Sequence, residues 1–263
     1  MFNWISRALA HYLSKPVADF SVRTSTWEAL VATIRPGDVL LVEGNTRVSV
    51  AIKYLTQSTW SHAALYLGDS AGLGHNDNGE ANTLVEADLE DGIRALPLSF
   101  YRHSHTRICR PVDLGPDDLD ALTRYSRERL GHQYDLKNIV DLARYLLPTP
   151  PVPVRYRRRM LALGSGDPTR AICSSFIAEG FQRIPYPILP EVIPLPSDDP
   201  LCRECERELY RIRHHSLFAP RDFDASPYFE VIKPTIAQGF DYRALAWMPS
   251  SDKGAGSVRP NWL

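Results

Sequence analysis

Eighteen of the 21 prolines lie at or beyond residue 111, and only Pro16, Pro36 and Pro97 precede it. Proline removes a backbone donor and fixes φ, so it interrupts helix interiors and central strands. The first 110 residues are therefore free to build a strand ladder. The rest must be built from helices and short pieces between proline breaks. The chain has two textures, and any fold proposed for it must accommodate both.

The proline-poor part reads as mostly strand. A short helix in TSTWEALVATI leads to the Pro36-Gly37-Asp38 turn and then to a strand over Asp38–Glu43. Val48, Ala51, Ile52 and Leu55 fall at i, i+3, i+4 and i+7, which predicts a helix. SHAALYLG follows as a strand. Its alternation puts Ala63, Leu65 and Leu67 on one face and His62, Ala64 and Tyr66 on the other. TLVEAD, GIRALPL and TRICRP complete a largely antiparallel sheet with one inserted helix.

The proline-rich part predicts helices in LGPDDLDALTRYSRERLG, DLKNIVDLARYLL and AICSSFIAEGFQRI. In the last of these, Ile172, Phe176, Ile177 and Phe181 are patterned toward a core. PTPPVP is a stiff connector. The prolines from Pro185 to Pro200 predict a surface excursion, followed by a short charged helix at roughly Arg203–Arg213 and a strand in YFEVIKP. The expected class is α+β, a small antiparallel sheet packed against helices. One domain is expected over residues 35–234, between an N-terminal helical extension (1–34) and a C-terminal tail (235–263).

Composition narrows the function. A hydrophobic content of 44% with 23% charged residues is globular, and no apolar run has the roughly 18 to 20 residues a membrane span needs. A net charge of −1 gives no electrostatic reason to expect nucleic acid. Residues 1–15 read as an amphipathic helix with Phe2, Ile5, Leu9, Tyr12 and Leu13 on one stripe, and no signal-peptide pattern is recognised. The location expected on these grounds is cytoplasmic. Residues 1–15 read either as a helix packed on its own domain or as a peripheral contact at the inner membrane, and the basic cluster Arg155–Arg159 either as a solvated loop face or as part of that contact.

Of the four cysteines, Cys173 demands explanation, because it begins an apolar helix. Free N–H groups and the helix dipole there favour a thiolate and can hold an oxyanion. A thiolate nucleophile needs a base and a group to orient that base. His62 opens a strand and faces away from the apolar set. Glu86 is a carboxylate among Leu84, Val85 and Ala87, a position that calls for a partner. Cys202 and Cys205, with His214 and His215 downstream, suggest zinc. The gap of 214 − 205 = 9 residues is short, however, and adjacent side chains on a helix diverge by about 100°. No metal and no cofactor is expected. Cys109 reads as a packing residue, and His75, His103, His105 and His132 have no nameable partner.

The order PGDVLLVEG, WSHAALYLG, LVEA, GHQYD, ICSSFIAEGFQ resembles the circularly permuted papain-like cysteine hydrolases. These form the YiiX/YebB-like branch of the NlpC-type superfamily, distant relatives of lecithin:retinol acyltransferase. The resemblance covers roughly Arg35 to Pro234. It implies Cys173 as nucleophile, His62 as general base, Glu86 as the orienting third member and Tyr134 as a substrate-positioning residue. Asp38 matches the family too, and its sequence context reads as a turn that starts a strand. The implied activity is hydrolysis of an amide or ester through a thioacyl intermediate, with a peptide or an acyl-lipid as substrate. The alternatives are a membrane-associated lipid acyltransferase or thioesterase, and a catalytically silent binding module on the same fold.

Overall fold

A computed structural model describes residues 11, 12, 14–16, 24–132, 172–196 and 206–246. Helix α1 (Trp27–Thr33) is capped by Thr26, whose hydroxyl accepts the Ala29 N–H. The Pro36–Asp38 turn then starts β1 (Val39–Glu43), with Gly37 at φ 92°, a conformation costly for any residue with a Cβ. Asp38 is 1% exposed. Its carboxylate accepts the Arg35 N–H and both Nε and Nη2 of Arg110, so it closes the turn and ties it to a neighbouring strand. Asp38 is thus a structural turn residue, as its sequence context implies.

The chain continues through α2 (Arg47–Thr56), β2 (His62–Tyr66), β3 (Leu84–Asp88), β4 (Gly92–Leu96) and β5 (His105–Pro111). A distant strand, β8 (Phe229–Ile232), completes a six-stranded antiparallel sheet in the order β4-β3-β2-β1-β5-β8. The predicted alternation in β2 holds. Ala63, Leu65 and Leu67 join the core on one face, and Ala64 joins Leu40, Val42, Leu84 and Ile108 in a second cluster on the other.

Two helices cover the first face. α3 (Pro116–Arg129) starts on a proline, as predicted, and α4 (Ile172–Arg183) buries Phe176, Ile177 and Phe181 completely. Tyr125 of α3 stacks on Phe176 with ring centroids 5.4 Å apart and donates its hydroxyl to the Phe176 carbonyl. The second face is closed by α1, through Leu30 and Ile34, and by Leu98 and Tyr101. The short helix α5 (Pro234–Ala237) packs on α1, and Gln238 Nε2 donates to Thr33 Oγ1 at 3.3 Å. Packing therefore runs across positions 34/35 and 234/235.

One predicted element is corrected. The charged segment read as a helix near Arg203–Arg213 contains strand β7 (Glu206–Arg211), paired antiparallel with β6 (Glu191–Pro196) inside the expected surface excursion. Glu, Arg and Leu favour a helix by intrinsic propensity, yet tertiary pairing overrides so weak a preference. Residues 1–10 and 13 of the predicted N-terminal helix, the predicted helix at 135–147, the PTPPVP connector and the basic cluster Arg155–Arg159 lie outside the described residues.

Candidate active site

The β2–β3 ladder contains only Leu65↔Val85 and Tyr66↔Leu84. It stops before Ala64 and Glu86, so the two strands part where His62 and Glu86 stand. Helix α4 packs against both strands and brings Cys173, in its first turn, to this opening. Past the end of the ladder, the Ala63 backbone N–H favours the charged form of the Cys173 thiol.

The three side chains are contiguous. His62 Nε2 lies 2.8 Å from Glu86 Oε2, which leaves Nδ1 available to Cys173, the first group that raises the imidazole against burial. Cys173 is 4% exposed and its Sγ lies 3.9 Å from the Ser174 hydroxyl. Burial alone would push the Cys173 thiol up. The charge on His62, with hydrogen bonds from His62, Ala63 and Ser174, brings it below the usual thiol range instead. Burial likewise disfavours charge on His62, but the Cys173 thiolate and then Glu86 raise the imidazole well above its ordinary value. Each of the two shifts favours the charged form of its group.

Glu86 is 1% exposed, and burial pushes its carboxyl up. The His62 charge, the His62 hydrogen bond, Arg94 and Tyr101 together hold it at about 2. Arg94 donates from Nε at 3.0 Å and from Nη2 at 2.8 Å to Oε1, and the Tyr101 hydroxyl donates to Oε2. Neither residue is singled out by sequence reasoning. A signal for Arg94 exists, because the β3–β4 hairpin puts Glu86 directly opposite it. Tyr101 comes from the turn Leu98–Tyr101 and has no such signature.

A cavity of about 510 Å³ opens beside these groups. Cys173, His62, Glu86, Arg94 and Tyr101 line it together with the small polar residues Gly44, Thr46, Ser49 and Ser61 and the apolar Val48, Ile52 and Leu89. Glu43 also lines it, paired with Lys53 Nζ at 3.1 Å and hydrogen-bonded with His105 Nδ1 at 2.9 Å. This corrects the placement of His105, which opens β5 and has Glu43 as its partner.

The structure therefore brings together Cys173, His62 and Glu86, three of the four site residues expected from sequence. Tyr134, Arg155–Arg159, Cys202 and Cys205 lie outside the described residues. Cys109 sits in the core at 0% exposure between Val39 and Val231, and burial pushes its thiol far up, which makes it inert. Among the described residues no group of three or more His, Cys, Asp or Glu is arranged to hold a metal ion.

The chain is a mixed α+β protein with a six-stranded antiparallel sheet. Among curated proteins it is similar to the probable lipoprotein peptidase YaeF of Escherichia coli strain K12, with 23% identity over 177 residues. That alignment covers 61% of this chain, which spans about 60% of the length of YaeF. Among solved structures it has a loose likeness to the metalloprotein YiiX from Escherichia coli O157:H7, with a TM-score of 0.43 and 15% identity. The overlay covers 76% of this chain and 96% of YiiX. No protein-family model matches.

Proposed function

We propose that the chain is a cysteine hydrolase in which Cys173, His62 and Glu86 act in the permuted order that the motifs resemble. The observation that carries this reading is a buried thiol paired with an imidazole whose other nitrogen rests on a buried, ionised carboxylate. The Cys173 thiolate attacks an amide or ester carbonyl. The backbone N–H of Cys173, in the first turn of α4, faces the oxyanion that forms. His62 gives its proton to the departing amine or alcohol, leaving a thioacyl enzyme. Water, deprotonated by His62, then attacks the thioester and releases the acid and the thiolate.

The substrate on this reading is a peptide or an acyl-lipid, and its acyl portion occupies the cavity beside Cys173. The name of the relative YaeF supports a peptidase-like hydrolysis. Incubating the protein with acyl and peptidyl ester probes, then digesting it for mass spectrometry, tests the mechanism. The acyl mass is expected on Cys173 and on no other cysteine. Turnover by Cys173→Ala equal to that of the parent protein removes the thiol from the reaction.

Membrane contact through residues 1–15 and Arg155–Arg159 belongs to the same proposal, supported by a relative described as a lipoprotein. No helix among the described residues is long and apolar enough to cross a membrane. Co-sedimentation with anionic vesicles, but not with zwitterionic ones, is the expected result. Equal recovery in both supernatants rejects the contact.

A further inference from the structure

Four hydrogen bonds converge on the Glu86 carboxylate, and only one of them comes from His62. Arg94 takes Oε1 with two donors converging on that one oxygen, while Oε2 is taken by other groups, so the carboxylate is held at both oxygens and fixed in rotation as well as in place. Tyr101 takes Oε2, the oxygen that also faces His62 Nε2. Tyr101 is 8% exposed and belongs to the core cluster under the sheet, so its hydroxyl is held by packing rather than by solvent. Arg94 is anchored at its far side as well, by Asp91 Oδ2 at 2.5 Å from Nη1 and by Asp88 Oδ2 at 3.5 Å from Nη2.

We propose that Arg94 and Tyr101 are positioning residues for His62, fixing the Glu86 carboxylate against the imidazole and limiting the negative charge it presents there. The proposal rests on the cysteine-hydrolase reading and adds two residues that act only through Glu86.

The groups around the imidazole decide what each substitution does. Cys173 faces His62 from α4, Glu86 from β3 and Tyr101 from the turn after β4, with Arg94 of β4 behind Glu86. Asp88 and Asp91 are turned toward Arg94, and Glu43 of β1 is engaged by Lys53 and His105. Removing the Arg94 cation, or the Tyr101 proton that Oε2 shares, leaves Glu86 more negative toward His62. The imidazolium then holds its proton to higher pH. Losing the same contacts also frees the carboxylate to rotate, which costs turnover more than binding.

A measurement that needs no natural substrate is the pH dependence of Cys173 alkylation by iodoacetamide, with the site of labelling read by mass spectrometry. For a thiolate–imidazolium pair the rate changes in two steps, the upper one belonging to loss of the His62 proton. In Tyr101→Phe and Arg94→Gln the upper step is expected to move to higher pH. Arg94→Lys keeps the charge and loses the paired donors to Oε1, so its upper step should stay in place. Turnover of any ester probe that acylates the parent protein should fall about three- to tenfold in Tyr101→Phe and Arg94→Lys, the size of one net hydrogen bond, with KM steady. Tyr101→Phe keeps the ring that packs the core, so it guards against a folding artefact in the Arg94 variants.

An upper step that is unmoved or lowered in both Tyr101→Phe and Arg94→Gln overturns the proposal. So does unchanged turnover in Tyr101→Phe and Arg94→Lys. Failure of Cys173 to label ahead of the other cysteines in the parent protein instead overturns the hydrolase reading, so the two failures are separable.

Discussion

At the scale of single residues, the site is a set of opposed electrostatic effects in which specific partners outweigh burial. Desolvation acts against charge on Cys173, His62 and Glu86 alike, yet each is shifted toward its charged form by partners of opposite charge: Cys173 by His62, His62 by Cys173 and Glu86, and Glu86 by His62 and Arg94. Activity should therefore follow a bell-shaped pH profile. It falls below the lowered thiol value, as Cys173 takes up a proton, and above the raised imidazole value, as His62 loses one. Glu86→Gln removes a charge that raises His62. Its alkaline limb should move to lower pH, opposite in direction to Tyr101→Phe, in a titration of kcat/KM or of alkylation rate. Cys173 and Glu86 are legible in the sequence because a cysteine opening an apolar helix and a carboxylate inside an apolar strand are both locally anomalous. Arg94 is ordinary in isolation and gains meaning only from cross-strand register. Tyr101 depends on how a turn folds back under the sheet, which no local spacing encodes.

At the scale of elements, close contact between helices α3 and α4 sets where Cys173 stands. Gly180 of α4 faces the Tyr125 ring, and a Cβ placed there would meet ring atoms at 3.0 and 3.1 Å and Leu122 at 3.2 Å. Tyr125 has little room to yield, being 3% exposed, stacked on Phe176 and hydrogen-bonded to its carbonyl. Gly180→Ala gains about 1 kcal/mol of helix propensity but incurs overpacking of about 1 to 3 kcal/mol. A net loss of about 1 kcal/mol in urea unfolding is expected, and a more stable variant would show that α3 gives way. The elements most readily legible were those whose periodicity matches their burial, such as β2 and α4. β7 was misread because a charged run of helix-favouring residues carries no mark of the strand partner that β6 supplies from the proline-rich excursion.

At the scale of the whole molecule, His62 and Cys173 are 173 − 62 = 111 residues apart and meet only because both chain textures bury apolar surface against one sheet. Glu86 links β2, β3 and β4 through its donors, so its ionisation bears on global stability. Its folded value of about 2 lies below the unfolded 4.5, so its contribution is full above pH 4.5 and is lost as pH falls through about 2. Across that window the urea stability of Glu86→Gln should decline less steeply than that of the parent protein; parallel curves would mean that Glu86 is not coupled to folding. The sequence by itself determined the antiparallel sheet and the core faces of β2 and α4, and it made Cys173 and Glu86 stand out, because hydrophobic period, turn residues and misplaced polar groups are local properties. Tertiary structure alone decided that the β2–β3 ladder ends at Leu65↔Val85, opening a gap for the thiol, and that Arg94 and Tyr101 converge on Glu86. Those features depend on where hydrogen-bond pairing stops and on how distant segments pack, and a free-energy balance over the whole chain fixes both.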